Sequence, residues 1–326
     1  MAKIADSYFK ADPWKIIEEG FDADHGTVAE SVFSLGNEYM GVRGYFEEGY
    51  SGDTLLGSYF NGVYEKQKAK APGYKGIVQE TEFMVNSLDW LYTGIEACGE
   101  KLDLATSDFS DYRRELDLKT GLLKRCFVWH TKAGSVRLCF ERVISMTDNE
   151  KAATLLTIKS IDFNGRFNVK SGLNFDTVHA GEKKLWSCSE HRAGENMCHI
   201  KGKTVATGMA VESFCIFDGS LVKKASESTG VKEDKKVYIN YTVDIEKGEE
   251  VKLEKSVINI SPLSDLTVPM ALNELQGMSF NNVYSASKTG GAKPGRDRIL
   301  RSWGIPRTSR ESDSVYSRCF RPITEP

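Results

Sequence analysis

The amino-acid sequence predicts a mainly β fold: a large antiparallel β-sandwich followed by a short helical linker and a disordered tail. Three observations carry this reading. Apolar and polar residues alternate, with β-branched and aromatic enrichment, in runs recurring from about residue 28 to residue 260. The runs are joined by short turns and not by amphipathic helices, which argues against a parallel α/β arrangement. At Ser261-Pro262-Leu263-Ser264-Asp265 the period changes and a helical spacing begins. With 40% hydrophobic and 27% charged residues in 326, the chain can bury a proper core, which excludes a disordered protein.

Taken in order, Ala29 to Gly49 reads as a strand, a glycine-bounded turn and a second strand. Tyr112–Leu118 and Leu122–His130 form a hairpin across Lys119-Thr120-Gly121, and Ser135–Ser145 continues the meander. Thr154–Asp162 is expected to meet Phe167–Phe175 across Phe163-Asn164-Gly165-Arg166, with Asn-Gly supplying positive φ. Val237–Ile245 and Val251–Ile260 are expected to pair across residues 246–250. Leu266, Met270, Leu272 and Leu275 then give helical spacing, weakened at Pro269 and Gly277, so one or two helices should run to about Lys288. The expected division is a sandwich over 1–262, a linker over 263–288 and a tail over 289–326.

Lys plus Arg is 43 against Asp plus Glu 46, a net charge of -3, so no basic excess points to nucleic acid. No run approaches the roughly 20 apolar residues of a membrane helix. Seven scattered cysteines, an odd number, argue against a disulfide framework and for a reducing, cytoplasmic location.

Few motifs carry chemistry. Gly202-Lys203-Thr204 is the nearest approach to a phosphate loop, but Met197 occupies the place of its first glycine. Gly36, Gly41 and Gly44 miss dinucleotide spacing and read as bends or close approaches. Cys188, His191, Cys198 and His199 have zinc-ligand chemistry, yet adjacent ligands on an extended chain point to opposite sides. His25, His130 and His179 lack a nucleophile elbow and read as turn or sheet histidines. Glu80 and Glu82 share a strand face and Glu38 sits in a turn, both suited to solvated surfaces. The sequence therefore predicts no catalytic residue, no metal site and no cofactor within the chain.

Its most distinctive stretch is ESVFSLGNEYMGVRGYFEEGY, residues 30–50, followed by GSYFNGVYE, residues 57–65. Phe33, Val42 and Phe60 suit core packing, while Asn37, Glu38, Tyr39, Arg43, Tyr59 and Asn61 suit a polar, aromatic lip that meets a sugar or a neighbouring domain. These residues resemble the N-terminal region of glycoside hydrolase family 65, the maltose, kojibiose, nigerose and trehalose phosphorylases, and the likeness continues to about residue 287. The resemblance implies a β-sandwich, a helical linker and then an (α/α)6 barrel. It also implies inverting phosphorolysis of an α-linked glucoside or disaccharide, with inorganic phosphate as co-substrate and β-glucose 1-phosphate as product, and a homodimer. In that family the general-acid Glu and the phosphate site belong to the barrel, for which this chain leaves no room, so it is expected to be inactive alone. The alternative is a non-catalytic carbohydrate-binding or oligomerisation module.

The tail differs in composition: residues 1–287 hold eight arginines, and 288–326 hold seven in thirty-nine residues. No hydrophobic period survives there, which predicts disorder. The codons across Thr308–Ile323, read from each third base, can encode QQGIRFCIFQMFQTY, a string similar to the start of the family's barrel. A frameshift near residues 288–292 is the expected cause.

Overall fold

The computed structural model describes residues 9–68, 80–179 and 184–291. An N-terminal hairpin of β1 (Phe9–Asp12) and β2 (Lys15–Glu19) precedes helix α1 (Gly26–Val32) and three short strands, β3 (Leu35–Gly36), β4 (Met40–Val42) and β5 (Ser58–Phe60). A ribbon of β6 (Tyr64–Lys68) and β7 (Glu80–Met84) leads to β8 (Thr93–Ala97) and β9 (Glu100–Lys101). Long strands follow: β10 (Asp108–Asp117), β11 (Leu122–Thr131), β12 (Gly134–Ile144), β13 (Lys151–Ser160) and β14 (Gly165–Asn174). Next come β15 (Trp186–Ala193), β16 (Met197–Thr204), β17 (Ala210–Asp218) and the short helix α2 (Ser220–Lys224). The described chain ends with β18 (Glu227–Lys232), β19 (Lys236–Ile245), β20 (Glu250–Ile260), α3 (Val268–Gln276) and α4 (Phe280–Gly291).

Ten strands form one sheet in the order β1-β2-β10-β11-β12-β13-β20-β17-β16-β15, and five form its facing layer, β18-β19-β14-β8-β9. All strand pairings among the described residues are antiparallel, as the hairpin-rich sequence predicts. One continuous core lies between the layers, with Trp90, Trp129, Trp186, Phe127, Phe167 and Tyr241 fully buried.

Two expected hairpins are absent. β13 pairs with β12 and β20, and β14 pairs with β8 and β19, so the Asn164-Gly165 connector crosses from one layer to the other. β19 and β20 are likewise in different sheets. Alternation says that one face of a strand is buried, and it is equally satisfied by either layer of a sandwich. Gly165 begins β14 without positive φ; in these two connectors it is Gly248 that takes a φ of 81°. The connectors brace each other, with Gly248 N donating to Ser160 O at 2.7 Å and Lys247 N donating to Asn164 Oδ1 at 2.7 Å.

Ala29–Val32, expected as a strand, belongs to α1. Ala29 and Phe33, one helical turn apart, both reach zero exposure, a pairing of positions i and i+4 that a five-residue window does not distinguish from strand alternation. The linker forms two helices broken at Gly277, and neither stands free. Ala271 and Leu275 of α3 pack with Phe214 and Ile258, while Phe280 and Val283 of α4 pack with Val143 and Ala153. Both helices thus cover the outer face of the ten-stranded sheet. Of the tail expected over 289–326, residues 289–291 end α4 and the rest lies outside the described residues. No helix among the described residues is long and apolar enough to cross a membrane.

The cysteines correct a further expectation. Cys126 and Cys139 are joined as a cross-strand disulfide between β11 and β12, although Cys98, Cys188, Cys198 and Cys215 are free.

Candidate functional site

The expected lip lies on the small β3–β4–β5 sheet, where Gly41 stands opposite Tyr59 and Met40 opposite Phe60. Leu35, Met40, Val42 and Phe60 face the core. Two of the six expected contact residues turn inward. Asn37 Nδ2 donates to Ser145 O at 2.8 Å and to Asn149 O at 2.9 Å, and its Oδ1 accepts from the backbone N–H groups of Tyr39 and Met40. Tyr39 OH donates to Asn259 O at 2.9 Å and accepts from Ser261 N at 2.6 Å. Burial pushes its phenol above the ordinary range. Both side chains tie this sheet to the ends of β12 and β20.

The other four stay at the surface. Glu38 and Asn61 are exposed, with Asn61 Nδ2 donating to Glu38 O at 3.3 Å, and Arg43 and Tyr59 are half-buried neighbours. A Cβ at Gly57 would come within 2.7 Å of Arg43 Cδ and 2.8 Å of Tyr59 Cε2, so glycine there lets both side chains lie flat. Arg43 also donates to Ser31 Oγ on α1.

The next residues of the same motif, Gly44 to Glu48, enter the interior and bring two adjacent carboxylates with them. Arg114, Arg125, Arg142 and Lys255 point inward from β10, β11, β12 and β20, facing the buried carboxylates Glu18, Glu47, Glu48 and Asp89. Arg125 Nη1 donates to Glu48 Oε1 at 2.7 Å and its Nη2 to Glu47 Oε2 at 2.9 Å, while Arg142 Nη2 lies 2.8 Å from Glu47 Oε1. Arg114 Nε donates to Glu18 Oε2 at 2.8 Å and Nη1 to Gly44 O at 2.9 Å. Tyr45 OH donates to Asp89 Oδ1 at 2.7 Å. Lys255 Nζ crosses the sandwich to Gly172 O at 3.0 Å and Tyr92 O at 3.1 Å. Arg125 is also held between the rings of Phe46 and Phe140, at 4.2 and 4.4 Å.

These surroundings split the two adjacent glutamates. Burial pushes Glu47 up, but Arg142 and Arg125 outweigh it and leave the carboxyl below its usual range. For Glu48 burial wins over Arg125, with the charge of Glu47 adding to it, and the carboxyl is raised. Burial likewise raises Asp89 and lowers Lys255. Carboxylates with divergent titration suggest acid–base work, but the space beside Glu47 is about 10 Å³, too small to admit a substrate. Equal numbers of opposite charges fix the Arg43–Glu48 segment between the layers; the arrangement is a clamp.

A shallow cavity of about 520 Å³ lies elsewhere, among Glu100, Lys101, Asp108, Trp129 and Lys132. The considered zinc set is spread apart: Cys198 faces the core, whereas His199 Nε2 meets Glu212 Oε1 at 2.8 Å on the outer face. No group of three or more His, Cys, Asp or Glu residues among those described is arranged to hold a metal. Gly202 lies inside β16, where an added Cβ would come within 2.8 Å of the Phe175 ring.

The described residues form a two-layer antiparallel β-sandwich backed by linker helices, with Glu18, Glu47 and Glu48 held in buried ion pairs and no open acidic cleft beside them. The chain belongs to glycosyl hydrolase family 65, whose N-terminal domain model matches residues 16–290. It is 29% identical over 226 residues to maltose phosphorylase of Bacillus subtilis (strain 168), covering 68% of this chain and 29% of that enzyme. Alpha,alpha-trehalose phosphorylase of Thermoanaerobacter brockii is also 29% identical, over 223 residues, covering 67% of this chain and 27% of the relative. A solved structure assigned as a kojibiose phosphorylase from human microbiome superposes with a TM-score of 0.80 at 30% identity, covering 87% of this chain and 38% of that one. The chain therefore spans less than a third of the length of these two curated relatives.

Proposed function

We propose that this chain acts in cytoplasmic carbohydrate metabolism as the N-terminal sandwich of an inverting α-glucoside phosphorylase, and that the bond-breaking groups belong to a separate barrel. The supporting observation is the family match over residues 16–290 to an N-terminal domain, in which the interior carboxylates Glu18, Glu47 and Glu48 are engaged by buried arginines. In this reading a barrel Glu protonates the glycosidic oxygen of an α-linked disaccharide while inorganic phosphate attacks the anomeric carbon from the opposite face. The sandwich supplies no reacting group, and dimerisation would pair two such chains. Assay of the 326-residue protein with maltose, kojibiose or trehalose and phosphate should give no β-glucose 1-phosphate. Appreciable release would place catalytic residues within this chain and defeat the proposal. Nucleotide sequence across codon 290 tests the frameshift separately: a gene unable to encode QQGIRFCIFQMFQTY in the alternate frame defeats it.

A second reading, a non-catalytic carbohydrate-binding or oligomerisation module, is favoured by one observation. Glu38, Arg43, Tyr59 and Asn61 share the small sheet's solvent side beside three glycines, Gly36, Gly41 and Gly57. A flat surface with one aromatic ring and several hydrogen-bonding groups suits a sugar or another protein surface.

A further inference from the structure

Two pairs of cysteines in the ten-stranded sheet are direct cross-strand partners: Cys126 with Cys139, and Cys198 with Cys215. They differ in the face they occupy. Cys198 and Cys215 are at zero exposure on the inner face and free, while Cys126 and Cys139 are half-exposed on the outer face and bonded. We propose that Cys126 and Cys139 form a reversible dithiol–disulfide site, closed by a low-molecular-weight disulfide such as oxidised glutathione and opened by a dithiol reductant while the fold stays intact.

Geometry supplies the first support. Cys126 and Cys139 are register partners in the β11–β12 ladder, with Cα atoms 4.2 Å apart in the bonded form, the close spacing of a non-hydrogen-bonded antiparallel pair, so the ladder itself sets the two side chains face to face. Redundancy supplies the second. β11 and β12 are paired from Leu123–Arg142 to Thr131–Gly134 and are held on their outer sides by β10 and β13, so pairing does not depend on the crosslink. Charge supplies the third. Arg113 is the cross-strand partner of Cys126 on β10, and exposed Lys124 and Arg137 each stand two residues from a cysteine on the same face. Glu19, Glu115 and Glu141 partly offset them, the first two through pairs with Arg113 and the third with Lys124. Nearby cations favour the thiolate, the attacking species in exchange.

In the proposed step, one cysteine thiolate attacks a sulfur of oxidised glutathione, the S–S bond breaks, and one glutathione leaves as thiolate. The second cysteine, as thiolate, attacks the protein-side sulfur of the mixed disulfide and releases the other glutathione. Two protein thiols are oxidised, one glutathione disulfide is reduced to two thiols, and the two cysteine protons pass to the leaving sulfurs.

The test equilibrates the 326-residue protein across stepped ratios of reduced to oxidised glutathione, followed by alkylation and peptide mapping. Cys126 and Cys139 should lose alkylation together and regain it with dithiothreitol, with circular dichroism unchanged, whereas Cys198 and Cys215 react only after denaturant is added. A Cys139→Ser protein should trap Cys126 as a mixed disulfide with glutathione. The proposal is overturned if the pair stays alkylated across the whole series, if it resists excess dithiothreitol until the protein unfolds, or if Cys126 of the variant takes no glutathione.

Discussion

Arg125 on β11 donates from Nη1 to Glu48 Oε1 at 2.7 Å across a sequence separation of 77, inside a sandwich where the two side chains are 4% and 0% exposed. Such a pair does more to fix position than to add net stability, because both charges lose hydration. Removing one partner is costly, since it strands the other. Arg125→Met leaves Glu47 with Arg142 alone and Glu48 with no cation in contact, and should cost about 3–5 kcal/mol in urea unfolding. Arg113→Met, whose ion pairs with Glu19 and Glu115 are at the surface, should cost no more than about 1 kcal/mol. Equal losses in the two variants would mean that the interior cluster is not the clamp described.

The adjacent glutamates give stability a pH dependence of opposite sign. Glu47 titrates below its ordinary value of 4.5 when folded, so its contribution is fully present above that pH and is lost as pH falls through the depressed folded value. Glu48 titrates above 4.5, so its ionisation in the folded state costs stability as pH rises through that window. Glu47→Gln should therefore flatten the fall in stability below pH 4.5, and Glu48→Gln should remove the loss of stability that sets in as pH rises above 4.5. Urea midpoints measured between pH 3 and pH 7 distinguish the two; identical acid limbs would contradict the split.

The strands were legible in the sequence because each half-buried run has a period of two; their partners were not, because the period is blind to which layer receives the buried face. Thr154–Asp162 and Phe167–Phe175 show this, adjacent in sequence yet assigned to opposite sheets. The interior clamp left a signal that was readable in hindsight. Arg114 lies between Tyr112 and Leu116, Arg125 between Leu123 and Phe127, and Arg142 between Phe140 and Ile144, in each case on the apolar phase of its strand. Three basic residues on that phase in consecutive strands require buried anions; Glu47-Glu48 between Phe46 and Gly49 answers Arg125 and Arg142, and Glu18 answers Arg114. For the six lip residues, composition identified the surface but not side-chain direction, which for Asn37 and Tyr39 is set by carbonyls more than a hundred residues away.

Gly44 couples α1 to the clamp through its backbone alone. Its N–H donates to Glu30 O at 2.7 Å, its carbonyl accepts from Arg114, and an added Cβ would lie 2.8 Å from Phe33 Cβ. Neither Phe33, at zero exposure, nor the helix backbone has room to retreat. Gly44→Ala should cost about 1–3 kcal/mol by overpacking. Gly41→Ala, whose new Cβ would meet only Leu35 O at 3.8 Å, should stay within about 0.5 kcal/mol. Thermal melts of the two variants would test the difference, and a Gly44→Ala protein as stable as the parent would show that α1 can shift freely.

Tyr39, just before β4, and Tyr59, on β5, offer a way to separate architecture from contact. Tyr39 OH is buried and holds Asn259 O and Ser261 N, so Tyr39→Phe leaves both without that partner and should cost about 1–3 kcal/mol. Tyr59 is half-exposed on the flat face beside Gly41, so Tyr59→Ala should alter stability by less than about 1 kcal/mol. If that face holds an α-glucoside, calorimetric titration with maltose, kojibiose or trehalose should show saturable heat that Tyr59→Ala weakens by about tenfold or more, as expected for loss of a stacking ring worth 1–2 kcal/mol. Tyr39→Phe should bind like the parent, since its hydroxyl faces the core. Unchanged saccharide binding in Tyr59→Ala would move the contact off this sheet, and no binding by the parent protein would leave the face as a surface for another domain or subunit.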